Sequence, residues 1–287
     1  MTDVNLKFGP PPPTRFEVNP SAREVQFFRD NGYLVVERLT TDEEIAWIRR
    51  IFEFIFSKEH AKNAHTPVDR SGTPAPGEES KLAQSFHPEI EFPELLTTNH
   101  WRNAKRYAAA LLGVDASALS SWGHMIRKPP GGRAALWHQD HAYWEPELDY
   151  YALGVWLPMH DVSTEMGAMQ FIPGSHKRGL LRHRHGDEPQ FNVLEVDEPF
   201  DVTKAVACPL KMGGATFHHS ETLHYTAPNA TDTPRLAFPM EFQVTPVRRS
   251  VPVSMPWVDE FRKATSTGGP HRIYHVADGK ISRIRLD

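Results

Sequence analysis

Hydrophobic residues recur at helical spacing through the first third of the chain. This spacing predicts helices over residues 22–30, 41–56 and about 101–112. Ser21 and Thr41 precede the first two helices and can cap them, because their side-chain oxygens accept hydrogen bonds from the first free backbone N–H groups. A short apolar run between these helices, at residues 33–36, is typical of a strand.

The pattern changes after about residue 120, where short apolar runs alternate with turns rich in glycine and proline. It predicts eight strands, at residues 121–128, 134–140, 151–160, 167–172, 205–210, 214–219, 223–226 and 235–244. A short helix is expected near residues 256–264. Helices followed by a run of strands indicate an α+β fold: a cupin-like jelly roll, or double-stranded β-helix, with the N-terminal helices packed on one side.

Two segments lack this periodicity. Residues 1–20 contain four consecutive prolines and are predicted to form a flexible, poorly packed arm. Residues 57–80 are polar, and they fit a mobile lid over a substrate as well as an insertion without a role. No repeat or boundary divides residues 21–287, so we expect one domain with its jelly-roll core at about 121–245.

The composition is that of an ordinary globular protein, with a formal net charge of −4 that predicts no binding to nucleic acid. No segment approaches the roughly 20 apolar residues that a membrane span requires, and the N-terminus does not resemble a secretory signal. The single cysteine, Cys208, excludes an intramolecular disulfide and suits a reducing compartment. A cytoplasmic location is therefore expected, and the oligomeric state is left open.

His138 and Asp140 are separated by one residue, which on a strand directs both side chains to the same face. His224 lies on a late predicted strand, and a barrel that closes on itself can bring it to the same place. Two histidines and one carboxylate can bind one face of an iron(II) ion and leave its other positions free. The competing explanation is that this His–Asp spacing arises by chance, because the chain contains 16 histidines.

Five segments, in the same order, resemble the phytanoyl-CoA dioxygenase family of iron(II)- and 2-oxoglutarate-dependent oxygenases over most of residues 21–245. They are residues 27–33, 128–131 with 138–140, 156–162, 167–176, and 213–218 leading to His224 and Arg235. The resemblance implies a jelly-roll enzyme that uses Fe(II), 2-oxoglutarate and O2. It also implies that His138, Asp140 and His224 are the metal ligands and the catalytic centre.

Further roles follow from the same resemblance. Arg235 would pair with the distal carboxylate of 2-oxoglutarate, for which a planar guanidinium is suited. Thr226 would add a hydrogen bond from its hydroxyl group. His124 and Trp156 match positions near the cosubstrate, although packing in the core explains each of them equally well.

Three aromatic residues near the metal motif are candidates for the substrate wall, and packing of the barrel is the alternative: Trp137, Tyr143 and Trp144. The sequence does not identify the substrate. The family acts on acyl-CoA thioesters, amino-acid derivatives and secondary metabolites. Because no basic run could bind the phosphates of CoA, a small or medium organic molecule is expected as the only partner.

The resemblance favours hydroxylation of an unactivated C–H bond with release of succinate and CO2. Related halogenases leave the position of Asp140 to chloride, whereas a carboxylate blocks it; desaturation and other oxidations stay open. Two alternatives differ in kind. One is a cupin-like metalloenzyme with another chemistry, such as an isomerase, and the other is a non-catalytic metal-binding protein.

Overall fold

The computed structural model describes residues 7–60, 68–69, 80–186, 193–265, 274–277 and 280–283. The expected helices are present, together with one short helix that the sequence pattern did not predict, α3. The helices are α1 (Ala22–Asn31), α2 (Asp42–Ile55), α3 (Pro88–Glu91), α4 (Asn99–Leu112) and α5 (Pro256–Thr265). Ser21 and Thr41 cap α1 and α2 as predicted, each accepting a hydrogen bond from a backbone N–H of the first turn.

The strands are short and are joined by tight turns. In chain order they are β1 (Tyr33–Val36), β2 (Val68–Asp69), β3 (Ala83–Phe86), β4 (Leu119–Lys128), β5 (Ala135–His138), β6 (Leu148–Asp149), β7 (Ala152–Trp156), β8 (Met169–Phe171), β9 (His183–His185), β10 (Leu194–Val196), β11 (Val206–Cys208), β12 (Ala215–His219), β13 (His224–Thr226), β14 (Arg235–Ala237), β15 (Met240–Val244), β16 (Val247–Arg248), β17 (Tyr274–Ala277) and β18 (Lys280–Arg283).

Two antiparallel sheets form the jelly roll. The larger has the order β1-β12-β7-β15-β4-β3-β2, with β14 also paired to β4, and the smaller has the order β11-β8-β13-β5. Both sheets contribute side chains to one cavity between them. This is the cupin-like α+β architecture that the sequence predicts.

The helices cover the outer face of the larger sheet. Ile48 and Phe52 of α2 and Ala108 of α4 share one apolar cluster with Phe217 and Phe242 of the sheet. All five are almost completely removed from solvent, so this cluster supplies most of the hydrophobic stabilisation of the helical layer. The prediction that the N-terminal helices pack on one side is confirmed.

The proline-rich arm is packed more closely than predicted. The Asn99 side chain accepts a hydrogen bond from the Phe16 backbone N–H and donates one to the Thr14 carbonyl oxygen. Asn103 makes the same pair of contacts with Val18 and Phe16. Residues 14–18 are held against α4, because two buried asparagines form hydrogen bonds with their backbone groups. The expectation of a poorly packed arm is corrected for these residues.

Several predicted strands are shorter than expected or are divided in two. The strand predicted at 134–140 stops at His138, and Asp140 begins a 3-10 turn. The strand predicted at 235–244 is two strands, separated at Phe238 and Pro239, because proline cannot donate to a strand ladder. Most of the predicted lid at 57–80 lies outside the described residues. Within the described part of the chain, no helix has the length and apolar character needed to cross a membrane.

Candidate active site

His138 and His224 lie side by side on neighbouring strands. His138 ends β5, His224 begins β13, and the two are direct cross-strand partners whose ring centroids are 4.1 Å apart. Asp140 completes the group, and one ligand atom from each of the three lies within 4.8 Å of the others. The predicted triad is therefore brought together from two distant parts of the chain.

Backbone carbonyl groups orient both imidazole rings. Nδ1 of His138 lies 2.5 Å from the Leu136 oxygen, and Nδ1 of His224 lies 2.9 Å from the Thr222 oxygen. Since a carbonyl oxygen can only accept, each Nδ1 carries the proton and each Nε2 presents a lone pair. The Nε2 atoms lie 3.8 Å and 3.4 Å from Oδ1 of Asp140, so the three unprotonated atoms converge on one point.

The other oxygen of Asp140 is already bound. Nε2 of His218 lies 2.9 Å from Oδ2 and donates a hydrogen bond to it, which leaves Oδ1 for a metal ion. Gly154 makes room for this contact, because a Cβ atom at that position would lie 2.5 Å from Nε2 of His218. His219, the next residue on β12, faces away towards His176, as strand alternation requires.

Gln139 holds the turn that presents Asp140. Its side-chain amide donates to the carbonyl oxygens of Gly179 and Glu221 and accepts from the N–H of Leu181, and its own backbone N–H donates to Nε2 of His183. These contacts, rather than a continued strand, aim Asp140 at the two histidines. The expectation that His138 and Asp140 share one strand is wrong, although their side chains meet as predicted.

The electrostatics of the triad favour binding of a cation. Burial lowers the pKa of His138 to about 3, so its imidazole is neutral and free to ligate. Burial alone would raise the pKa of Asp140, but His224 and His218 beside it hold that pKa well below its usual range. Burial would lower the pKa of His224, but the Asp140 carboxylate beside it raises that pKa. One carboxylate and two imidazole groups are the donor set that iron(II) takes from proteins.

Two buried basic residues are paired near one end of the cavity: Arg235 lines its wall, whereas Lys128 lies behind Thr226 and does not line it. Arg235 on β14 is the direct cross-strand partner of Lys128 on β4, and both side chains are almost fully buried. Nη1 of Arg235 donates to the Gly167 oxygen at 2.6 Å, while its Nε has no partner, and its guanidinium lies 5.2 Å from the ring centre of Trp156. Nζ of Lys128 donates to Oγ1 of Thr226 at 2.8 Å.

A bound anion would stabilise this arrangement of two buried basic groups. Like charges placed directly opposite each other on neighbouring strands destabilise a sheet, and burial makes the cost larger. Burial, with a smaller contribution from Arg235, lowers the pKa of Lys128 to about 5. A carboxylate bound at Arg235, whose Nε has no partner, would offset the burial of both basic groups, so the site fits the distal carboxylate of 2-oxoglutarate. The sequence analysis missed Lys128, although it follows Trp122, His124 and Ile126 on the same face of one strand.

The cavity has a volume of about 770 Å³ and is lined by most of the predicted residues. His138, Asp140, His224, Arg235, Thr226, His124, Trp156, Tyr143 and Trp144 all contribute to its wall. Trp137 does not, and its assignment to the substrate wall is corrected. It neighbours His138 on β5 and therefore points to the opposite face, where it stacks on Tyr225 at 5.2 Å and meets Phe200.

Acidic and aromatic side chains line the cavity beyond Asp140. Burial, with a smaller contribution from Asp140, raises the pKa of Glu241 to about 8. Glu145 is buried and accepts a hydrogen bond from the Tyr150 hydroxyl. Neither glutamate was predicted, because an isolated acidic residue in a short strand or loop is most often exposed to solvent.

Comparisons with known proteins agree with this geometry. The profile of the phytanoyl-CoA dioxygenase (PhyH) family matches residues 28–237. Phytanoyl-CoA dioxygenase domain-containing protein 1 of Danio rerio is 27% identical over 254 residues, covering 74% of this chain and 86% of that protein. A probable alpha-ketoglutarate-dependent hypophosphite dioxygenase of Stutzerimonas stutzeri is 36% identical over 107 residues, 36% of this chain and 37% of its own.

Solved structures share the fold. EvdO2 from Micromonospora carbonacea var. aurantiaca, crystallised with 2-oxoglutarate, superposes with a TM-score of 0.73 at 32% identity, covering 86% of this chain and all of that one. EctD from S. alaskensis, with 2-oxoglutarate and 5-hydroxyectoine, has a TM-score of 0.59 at 20% identity over 78% of this chain and 76% of its own, a likeness of fold alone. The chain belongs to the phytanoyl-CoA dioxygenase family and is a non-haem Fe(II)- and 2-oxoglutarate-dependent oxygenase.

Proposed function

We propose that the protein hydroxylates an unactivated C–H bond of a small or medium organic molecule, with release of succinate and carbon dioxide. One observation carries the proposal: a single cavity is lined both by the His138, Asp140 and His224 cluster and by the buried guanidinium of Arg235. A site of this kind can hold an oxidising metal centre and an anionic cosubstrate side by side.

In this proposal His138, Asp140 and His224 are the iron ligands. Nε2 of each histidine and Oδ1 of the aspartate would bind the ion, and His218 would keep the carboxylate from rotating by holding Oδ2. When bound, iron activates dioxygen together with 2-oxoglutarate and so supplies the oxidising power for the reaction. Because Asp140 occupies one ligand position, oxygen insertion is favoured over halogenation.

Arg235 and Lys128 would bind the distal carboxylate of 2-oxoglutarate, with Thr226 adding its hydroxyl group. The carboxylate would accept a hydrogen bond from the Nε–H of Arg235, which has no other partner, and would favour the protonated form of Lys128 next to it. Trp156 lies against the guanidinium and keeps it in place. The opposite end of the cosubstrate then points along the cavity towards the triad.

The remaining cavity would hold the substrate. Tyr143 and Trp144 follow the metal motif, line the cavity, and would exclude water from the reacting carbon atom. A volume of about 770 Å³ accommodates 2-oxoglutarate and a second molecule of modest size. We also propose that residues 21–287 act as one oxygenase domain located in the cytoplasm.

The test is a turnover assay with purified protein. We expect succinate to form from 2-oxoglutarate only when Fe(II) and oxygen are present, to stop with a chelator, and to rise with the correct substrate. Mass spectrometry should then find a product that is heavier by one oxygen atom. A product without added oxygen would contradict hydroxylation.

Ligand variants separate this function from its alternatives. Asp140→Ala and His224→Ala should abolish succinate formation, because two protein ligands do not retain iron as three do. Glu43→Gln, at an exposed position of α2, is the matched control and should behave like the wild type. Full turnover in either ligand variant would remove these residues from the metal site.

A further inference from the structure

We infer that the substrate carries a protonated amine, which Glu241 and Glu145 bind beside the oxidised carbon atom. This inference rests on the proposed function, since it names the substrate class of the same cavity. It depends on three independent observations: the place of Glu241 in the sheet, the unpaired acceptors around it, and the aromatic rings that line the same part of the cavity.

Glu241 stands next to the metal site in a row of residues that crosses four strands. The cross-strand partners run from His218 to Gly154, from Gly154 to Glu241, and from Glu241 to Trp122. All four residues face the cavity. Gly154 carries no side chain and lies beneath Asp140. Glu241 is on the strand next to Gly154, roughly 4.8 Å away, and is therefore the next side chain after His218 in this row.

Two buried hydrogen-bond acceptors in this part of the cavity have no donor, whereas the carboxyl group of Glu241 accepts a hydrogen bond from Trp122. Oε1 of Glu145 and Oε1 of Gln243 are buried without a hydrogen-bond partner, and both residues are more than nine-tenths buried and line the cavity. Gln243 lies two positions after Glu241 on β15, on the same face of the sheet. Within the described ranges, no lysine or arginine forms an ion pair with Glu145 or Glu241.

A protonated amine supplies what these residues lack. An ammonium group offers three donors and no acceptor, so it can satisfy several carboxylate and amide oxygens at once. Burying carboxyl groups without a cation is unfavourable, and binding of an amine would offset this cost. Trp122, Trp144 and Tyr150 line the same part of the cavity, and the faces of aromatic rings attract cations.

The charges also separate the two molecules that the cavity must hold. Arg235 repels an amine and attracts the dicarboxylate cosubstrate, whereas Glu241 and Glu145 do the reverse. Each molecule is thereby directed to its own end of the cavity. A neutral polyol, the rival substrate class, would use the same acceptors but gain nothing from this division of charge.

Binding to metal-free protein tests the inference without depending on turnover. Calorimetric titrations would compare two pairs of equal shape, cyclohexylmethylamine with cyclohexylmethanol and 2-phenylethylamine with 2-phenylethanol, together with myo-inositol as a polyol. We expect each amine to bind at least about tenfold more tightly than its alcohol, the order expected for a desolvated charge pair. Amines that bind no better than the alcohols or the polyol, including the case in which nothing binds, overturn the inference.

Isosteric variants identify the residues responsible. Glu241→Gln should weaken amine binding by roughly 10- to 100-fold and leave alcohol binding nearly unchanged, so that the selectivity ratio falls. Glu145→Gln should act in the same direction, and Glu43→Gln should change neither. Amine selectivity that survives in both cavity variants overturns the assignment. If the wild-type protein selects amines but forms no succinate with Fe(II) and 2-oxoglutarate, the proposed function fails and the amine site stands.

Discussion

Nε2 of His218 lies 2.9 Å from Oδ2 of Asp140, whereas the other carboxylate oxygen, Oδ1, faces His138 and His224. The carboxylate is thus held from behind by a residue that does not itself join the triad. His218→Leu removes this hydrogen bond with little change in side-chain volume, and we expect iron affinity to fall about 10- to 100-fold. Titration with Fe(II) under anaerobic conditions measures it. His219→Gln, on the opposite face of β12, should leave the affinity unchanged.

Gly154→Ala should damage the same contact by a steric route. The new Cβ atom would lie 2.5 Å from Nε2 of His218 and 3.2 Å from Oδ2 of Asp140, so one of them must move. We expect a loss of stability of about 1–3 kcal/mol together with weaker iron binding. Gly123→Ala meets Phe238 at 2.7 Å instead and should lower stability alone. Equal iron affinities in the two variants would contradict the assigned role of Gly154.

Arg235→Ala should weaken the use of 2-oxoglutarate. Loss of the contact between a buried guanidinium and a carboxylate costs about 2–4 kcal/mol of binding free energy. This loss should appear as a steep rise in KM for the cosubstrate. Arg235→Lys should recover little of it, since an ammonium group cannot form the same two-pronged contact. Arg182→Ala is the control, because that arginine pairs with Asp197 at the surface. A KM that stays constant in Arg235→Ala would refute the assignment.

Lys128→Met should stabilise the protein and impair its function. The pKa of Lys128 falls from its usual value of 10.5 to about 5 on folding, so the unfolded chain binds more protons between these two pH values. Burial of Lys128 therefore lowers the free energy of unfolding of the wild type by its full amount below about pH 5, and by less as the pH rises towards 10.5. At neutral pH we expect the variant to gain about 1–4 kcal/mol in free energy of unfolding.

2-Oxoglutarate should stabilise Lys128→Met less than it stabilises the wild type. Added 2-oxoglutarate should raise the melting temperature of the wild type more than that of Lys128→Met, because its carboxylate stabilises the protonated lysine. Thermal unfolding at several pH values, with and without 2-oxoglutarate, tests both statements. A stability difference that does not change with pH would show that Lys128 is not the titrating group.

Trp137→Leu should lower stability without altering catalysis. Its ring stacks on Tyr225 and contacts Phe200 edge-on outside the cavity, so its loss should reduce the free energy of unfolding by about 0.5–3 kcal/mol. Steady-state kinetics with any accepted substrate should match the wild type at a temperature where both are folded. A selective change in the substrate KM would place Trp137 at the substrate after all.

The triad could be predicted because its residues carry a local signal. His138 and Asp140 are close in sequence, and His224 and Arg235 follow in a recognisable order, so the expected fold was enough to join them. Lys128 was within reach of the same reasoning through strand alternation. Glu241 was not, because its importance depends on Gly154 and Trp122, which become its neighbours only through strand pairing.

The turn at Asp140 and the ordered arm show a second limit. Gln139 is held by Gly179, Leu181 and Glu221, all distant in sequence, and these contacts override the strand that the local pattern predicts. Asn99 and Asn103 order the arm in the same way. Buried side-chain amides form hydrogen bonds with backbone groups that are distant in sequence. The periodicity of hydrophobic residues gives no sign of these contacts.

Because His138 and His224 are direct cross-strand partners, the metal site forms only when β5 and β13 pair in this register. The two strands come from distant parts of the chain, and a slip of one residue would turn His224 out of the cavity. The site therefore exists only after β5 and β13 have paired in this register, and iron cannot guide the folding steps that precede that pairing. Once the barrel has closed, iron binds the native state alone and stabilises it in proportion to the logarithm of its concentration above Kd.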